Sequence, residues 1–257
     1  GNYVPPFPFK SQYEMSTPLA LFDYDKNRSY RILVPMGNNL QMLDGRGNTI
    51  KGWGLKQVSS NINLAPKLFQ LFDKEYIMIS EESGNIHFLN RRGQERIDLK
   101  EKIHLSKNPI SVLKSRLKEN SKLVALTKEG HLIYIYLNGS IDTLKIQNLS
   151  AEDIYMIDEN CTVILKGNKL IIMNNENKFE YTFKSNPESI PEIISNNKGE
   201  YLIGIQHKGE NSIYLFNQNS TIEPQTFFGT TDFSIVKLEN DSIYNLIVGS
   251  KEGVIYN

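Results

Sequence analysis

Apolar residues along the chain come in short runs, either at every second position or several in a row, and Gly, Asn, Asp or charged residues bound each run. Runs of this length, rich in Ile, Val, Leu, Tyr and Phe, predict β-strands. They fall in pairs separated by a polar turn: residues 19–22 with 30–34, 68–72 with 76–79, 110–113 with 123–126, 154–157 with 163–165, 190–194 with 201–205, and 233–236 with 244–248. Helical periodicity is almost missing. The stretch 108–121 mixes apolar and basic residues and reads as a strand followed by a long polar turn.

A turn glycine and a third apolar run follow each pair: Gly37 with 40–43, Gly84 with 86–89, Gly130 with 132–135, Gly167 with 170–173, Gly209 with 213–216, and Gly253 with 254–256. These glycines stand 47, 46, 37, 42 and 44 residues apart. That period matches a four-stranded propeller blade and is too long for a leucine-rich or ankyrin unit. Turns rich in Asp, Asn and Gly then lead to fourth strands at 49–51, 95–99, 141–144 and 179–183, which carry more charge than the inner ones, as a water-facing edge strand should. Pro18, Pro66, Pro109 and Pro191 mark entries to first strands, where a missing amide donor costs little.

The expected fold is therefore all-β: a six-bladed β-propeller of four-stranded antiparallel blades, covering roughly 18–60, 61–107, 108–150, 151–187, 188–230 and 231–257. The sixth repeat reaches Asn257 in its third strand, so another segment is expected to complete that blade. The alternating Gln12-Tyr-Glu-Met-Ser16, within a proline-rich arm spanning 1–17, is the candidate closing strand; a ring opening onto a neighbouring domain is the other possibility.

Within the first repeat, Leu43-Asp-Gly-Arg-Gly-Asn-Thr-Ile-Lys-Gly-Trp53 resembles the aspartate-turn-to-tryptophan phrase of FG-GAP/VCBS-type and quinoprotein-like propeller repeats. Phe22-Asp-Tyr-Asp-Lys-Asn27 resembles the acidic turn before the second strand of FG-GAP-type blades. The diagnostic residues stand in one blade only. Trp53 is the sole tryptophan, so the regular tryptophan docking of quinoprotein enzymes is missing and no quinone or other cofactor is expected. No Trp-Asp pair occurs, so the WD40 signature is absent as well. Relatives of this repeat type are often exported or membrane-anchored, and the resemblance implies an extracytoplasmic site, periplasmic or surface, with lipid anchoring possible.

Charge narrows the partners. The 29 basic and 29 acidic side chains cancel, removing the long-range field a nucleic-acid binder carries. No stretch approaches the roughly 18 apolar residues of a transmembrane helix. The lone Cys161 lies in an apolar alternating run and is expected to pack as a small hydrophobe. The chain opens at Gly1-Asn2, which suggests a processed precursor or a piece of a longer protein.

Asp23, Asp25 and Asn27 are spaced like the first three ligands of a calcium loop, and they form the one weak metal candidate. The pattern then fails, because Arg28 and Arg31 follow where a bend glycine and a further carboxylate are needed. His87, His104, His131 and His207 fall in different repeats without metal-ligand spacing. His87 and His131 read as similar positions at the starts of third strands, able to approach a central channel. No nucleophile elbow, phosphate loop or Cys-x-x-Cys pair exists, so no catalytic residue is assigned. Thirteen Tyr and twelve Phe suit half-buried sheet faces, with Tyr3, Phe7, Phe9 and Phe227-Phe228 as candidates for an exposed contact patch.

The expected function is a non-catalytic binding module, with the C-terminal domain of a longer exported protein as one expected setting. Its partner would be a protein, another domain of the same precursor, or a polysaccharide. The alternatives are a small-ligand-binding or enzymatic propeller using the central channel, and a structural spacer within a larger precursor.

Overall fold

Asparagine and aspartate shape the turns of the chain. In a computed structural model, which describes residues 14–175, 177–196, 198–218, 224–236 and 244–249, the Asp44 carboxylate accepts from the backbone N–H groups of Arg46 and Asn48 at 2.8 and 2.9 Å. The side-chain oxygen of Asn90 does the same for Arg92 and Gln94, and that of Asn196 for Lys198 and Glu200. A short side chain that captures amides two and four residues on supplies the partners a tight turn leaves over, which is why these residues punctuate the apolar runs.

Between such turns the runs pair in register as six antiparallel sheets of two to four strands among the described residues. The chain divides into two compact units, one holding 14–107 with Lys114–Ala151, the other Asn108–Leu113 and the residues from Glu152 onward. The first unit carries a sheet of Ala20–Phe22, Arg31–Met36 and Asn39–Asp44, and one of Lys67–Leu71, Lys74–Ser80, Ile86–Leu89 and Glu95–Ile97. It also carries Lys122–Leu126, Leu132–Tyr136 and Ile141–Leu144. The second unit has Ser111–Leu113, the sheet Ile154–Ile157, Thr162–Lys166, Lys169–Met173 and Lys178–Thr182, and the sheet Glu192–Ser195, Tyr201–His207, Ser212–Asn217 and Gln225–Phe228. Phe233–Val236 pairs with Asn245–Val248. Among the described residues no helix is long and apolar enough to cross a membrane.

Second strands carry the core. Leu33, Ile77, Val163 and Ile203 are fully buried, and Lys74–Ser80 is buried over its last five positions without alternation. Such a strand is covered on both faces, and only continuous apolar side chains satisfy it. In the first unit, Ala20, Phe22, Leu33, Leu40 and Met42 of one sheet pack on Ile77, Ile79 and Leu89 of the next. In the second, Val163, Leu165, Leu170 and Ile172 pack on Tyr201, Ile203, Ile205 and Phe216. Aromatic edges fill that seam, with Tyr181 and Phe183 at 4.9 Å and Phe183 and Tyr214 at 5.1 Å, both near-perpendicular.

Three expectations need correcting. The fourth strand expected at 49–51 survives only as isolated bridges, Leu43 with Thr49 and Asn39 with Gln57, because the backbone turns out at Gly52 and returns with Trp53 buried. The run 68–72 ends at Leu71, since Phe72 adopts a left-handed φ of 57° and opens the hairpin. Phe227 and Phe228 lie in a fourth strand, Gln225–Phe228, so Phe227 packs on the core and only Phe228 is exposed. Tyr3, Phe7, Phe9, most of the proposed closing segment and the strand at 254–256 lie outside the described residues, and 14–16 carry no strand.

Trp53 shows how one sheet is keyed to the next. Its indole N–H donates to the Leu55 carbonyl at 2.6 Å, and its ring lies under the Arg92–Gly93 turn of the second sheet. The Gly54 N–H donates to the Arg92 carbonyl at 2.7 Å. Gly93 has φ of 72°, and a Cβ there would sit 2.9 Å from the Gly54 and Leu55 nitrogens, whereas one on Gly52, φ 84°, would meet nothing within 4 Å. Gly52→Ala then carries only the backbone strain of ~1 kcal/mol, and Gly93→Ala should exceed it by at least about as much again. Urea unfolding of the two variants measures the difference.

Candidate functional site

The strand Lys74–Ser80 ends at Glu81, whose N–H donates to the Asn85 carbonyl at 2.9 Å and closes the turn into Ile86–Leu89. Glu81 also bridges Ile62, on the segment that enters this sheet. Its carboxylate is thereby 1% exposed and surrounded by donors. Oε2 accepts from the Ser59 hydroxyl at 2.5 Å, the Ser60 N–H at 2.8 Å, and the Ser60 and Ser83 hydroxyls at 3.1 Å each. Oε1 meets His87 Nε2 at 2.7 Å, and His87 Nδ1 meets Glu95 Oε1 at 2.6 Å. His87 and Glu95 line a cleft of about 210 Å³ with Asp98, Lys100 and Lys102.

Burial pushes the Glu81 carboxyl up, but the donors from Ser59, His87, Ser60 and Ser83 outweigh it and hold it down at about 2. The hydrogen bond to Glu95 is the largest influence on His87, and with that to Glu81 it overcomes burial and raises the imidazole above its ordinary value of 6.5. Both ring nitrogens are donors committed to carboxylates. Neither is available as a general base, and the Ser59 proton points at a carboxylate too weakly basic to take it. This arrangement clamps; it does not activate a nucleophile.

The end of another second strand carries the same device with different chemistry. His207, 2% exposed, closes Tyr201–His207, and its Nε2 lies 2.8 Å from the Ser185 hydroxyl and 3.2 Å from the Ser185 carbonyl. Ser59 precedes Glu81 by 22 residues, and Ser185 precedes His207 by the same 22. His207 Nδ1 has no hydrogen-bond partner among the described residues, and the Ser185 carbonyl, which can only accept, calls for an N–H at Nε2. Glu188 Oε2, 4.0 Å from Nδ1, accepts instead from the Lys208 N–H at 2.8 Å. A Ser–His–acid relay would need the opposite tautomer with its proton held by the acid.

The residues singled out from the sequence disperse. Asp23 accepts from the Asn27 and Arg28 N–H groups at 3.2 and 3.0 Å, and the Asn27 side chain accepts from Ser29 N–H at 2.9 Å. Asp25 points the other way, to Arg91 Nη1 at 2.7 Å, while Arg91 Nε donates to Glu75 Oε2 at 2.7 Å and the guanidinium covers the Tyr24 ring at 5.0 Å. The three oxygens thus serve a loop and an ion pair separately. Among the described residues no group of three or more His, Cys, Asp or Glu side chains is arranged to hold a metal ion. His131 matches Asn85 and not His87, because its carbonyl accepts from Thr127 as that of Asn85 does from Glu81. His104 Nδ1 lies 3.2 Å from the Glu82 carbonyl. Cys161 is buried, and burial followed by the neighbouring Asp158 pushes its thiol well up. The Glu81 cluster escaped sequence reasoning because its serines lie in a connecting segment; the 22-residue spacing was the available signal.

No protein-family model and no curated protein sequence matches the chain. Solved structures do. The chain is similar to BBS1N crystallised in complex with ARL6DN, with a TM-score of 0.63 and 12% identity over 92% of this chain and 75% of that one. A second crystal of that complex gives 0.63 and 10% over 93% and 75%. The WD40 β-propeller domain of Doa1 is similar at 0.51 and 13%, over 92% and 75%. These likenesses show the fold, a β-propeller. They include a WD40 domain although this chain has no Trp-Asp pair, and they do not single out the FG-GAP/VCBS or quinoprotein-like subtype.

The Glu81–His87–Glu95 pairing makes stability depend on pH with a defined sign. His87 is raised in the fold, so its contribution is complete below 6.5 and is lost as pH rises through the raised value. Glu81 is lowered from 4.5, so its contribution is complete above 4.5 and is lost as pH falls towards about 2. The stability gap between the wild type and His87→Gln should be widest between those two ordinary values and shrink on the alkaline side. Urea midpoints across a pH series check this, and a pH-independent gap would show His87 to be neutral in the fold.

Proposed function

We propose that the chain is a non-catalytic, protein-binding propeller of six blades, the six sheets being those blades. The observation that carries this reading is the likeness, across 92% of the chain, to BBS1N crystallised in complex with ARL6DN. The chemistry of the two buried serine clusters agrees with it, since their acidic and imidazole groups are consumed in tying connecting segments to strand ends. What such a scaffold has to offer lies in the loops at the ends of its strands.

Cross-linking in the cells that make the protein, followed by mass spectrometry, should return a protein joined through lysines of turns, such as Lys26, Lys100 or Lys128. The pair rebuilt from purified components should then associate with a Kd of roughly 10 μM or tighter. Recovery of no reproducible partner, or failure of every recovered pair to associate when purified, would refute the reading.

A further inference from the structure

The loop before the second strand is held in a conformation its residues do not favour. Lys26 and Arg28 have φ of 52° and 64°, in the left-handed region that costs a long side chain of the order of 1 kcal/mol or more. The Asp23 carboxylate, accepting from the Asn27 and Arg28 N–H groups, holds the loop there. The result projects Arg28 beside Arg31, at the start of Arg31–Met36, and Arg46, on the turn after Asn39–Asp44. These residues line one open-sided groove of about 580 Å³, together with Asp44, Tyr30 and Ile50.

Charge in this groove is unbalanced. Three guanidinium groups face one carboxylate: Asp44 accepts from the Arg46 and Asn48 N–H groups and from the Asn48 side chain, keeps its charge and acts on Arg31, its cross-strand partner, which leaves positive charge in excess. These bonds, the Asn48 backbone first, hold the Asp44 carboxyl below its ordinary value, so it remains a fixed acceptor for the turn. Among the described residues, neither Arg28, Arg31 nor Arg46 has a carboxylate within 4.0 Å, whereas Arg91 has two. Exposed arginines in excess over the carboxylate beside them, presented by a strained loop, form a local positive patch that an anion can complement.

We infer that the Arg28–Arg31–Arg46 groove is a docking site for an acidic peptide segment of the protein partner. This rests on the protein-binding reading above and adds the partner's chemistry. Arginine forks match carboxylates bidentately. The exposed Tyr30 ring and Ile50 provide an apolar floor, which suits an extended segment alternating acidic and apolar side chains. Zero net charge argues against a nucleic acid as the polyanion.

The test measures fluorescence anisotropy of a fluorescein-labelled (Glu-Leu)5 peptide with the full chain at low and physiological salt, beside a (Lys-Leu)5 peptide and a single-stranded deoxyribonucleotide decamer. The acidic peptide should bind, weaken with salt, and lose about tenfold or more in affinity for Arg28→Glu/Arg46→Glu. Both side chains are exposed and neither side chain supports the turn that carries it. Thermal melting checks that the variant is folded, and Arg28→Gln/Arg46→Gln replaces it if melting shifts. Absence of peptide binding, unchanged binding by the folded double variant, or tighter binding of the decamer or the basic peptide would each overturn the assignment. Cross-linked partners recovered equally by wild type and double variant would sink the groove and spare the binding module; no partner with either would sink both.

Discussion

The best-buried sheets of this protein depend on second strands that have no solvent-facing side over most of their length. In Lys74–Ser80 and Tyr201–His207 the last five positions are buried without a break, so neither face tolerates a polar residue unless its bonds are met. Hydrogen bonding satisfies the backbone through both neighbouring strands, and packing takes both rows of side chains. The strand order within each sheet follows from this, since a strand with two apolar faces must be flanked on both edges and covered on both sides, while the charged outer strands Glu95–Ile97, Ile141–Leu144 and Lys178–Thr182 stay at the rim.

The same constraint explains where buried polar groups sit. A strand buried on both faces can expose its chemistry only at its end, where the chain turns and the next connection passes over it. Glu81 and His207 hold that position, each facing a serine 22 residues earlier, and Thr127 holds it in the third repeat, where its hydroxyl accepts from the His131 N–H. Acid, imidazole and hydroxyl all serve because the task is to satisfy donors and acceptors on a crossing segment. Of these three, Glu81 recruits a further histidine and a second carboxylate.

Much of this was legible in the chain. The five described third strands fall at the runs that follow a turn glycine, because a period of two inside strands and of about 43 between repeats are both imposed by local geometry. What could not be read is what depends on neighbours brought close by the fold. The fourth strand at 49–51 looked regular, yet burying Trp53 against the Arg92–Gly93 turn outweighs two or three ladder bonds. Asp23, Asp25 and Asn27 had ion-site spacing, but Arg91 lies 66 residues from Asp25 and nothing local announces it. His87 and His131 differ by one dipeptide step, which turn counting blurs and hydrogen bonding resolves.

Repeats separate what holds a fold from what uses it. Features shared by the blades, the turn glycines, the amide-capturing Asn and Asp and the buried second strands, answer to packing. The first blade departs from that pattern: among the described residues it has no regular fourth strand, it carries the only tryptophan of the sequence, and it opens with a loop in which two basic residues are forced into left-handed backbone. Strain of that kind persists only where surrounding contacts over-determine it, and here the Asp23 carboxylate supplies them. Overall neutrality conceals the consequence: Asp25 pairs with Arg91, while the Asp23 and Asp44 carboxylates keep their charge but are held by backbone amides, so neither forms an ion pair with the Arg28 or Arg46 guanidinium. Among the described residues the scaffold thus leaves guanidinium groups that no carboxylate of its own ion-pairs, without any overall excess of basic residues.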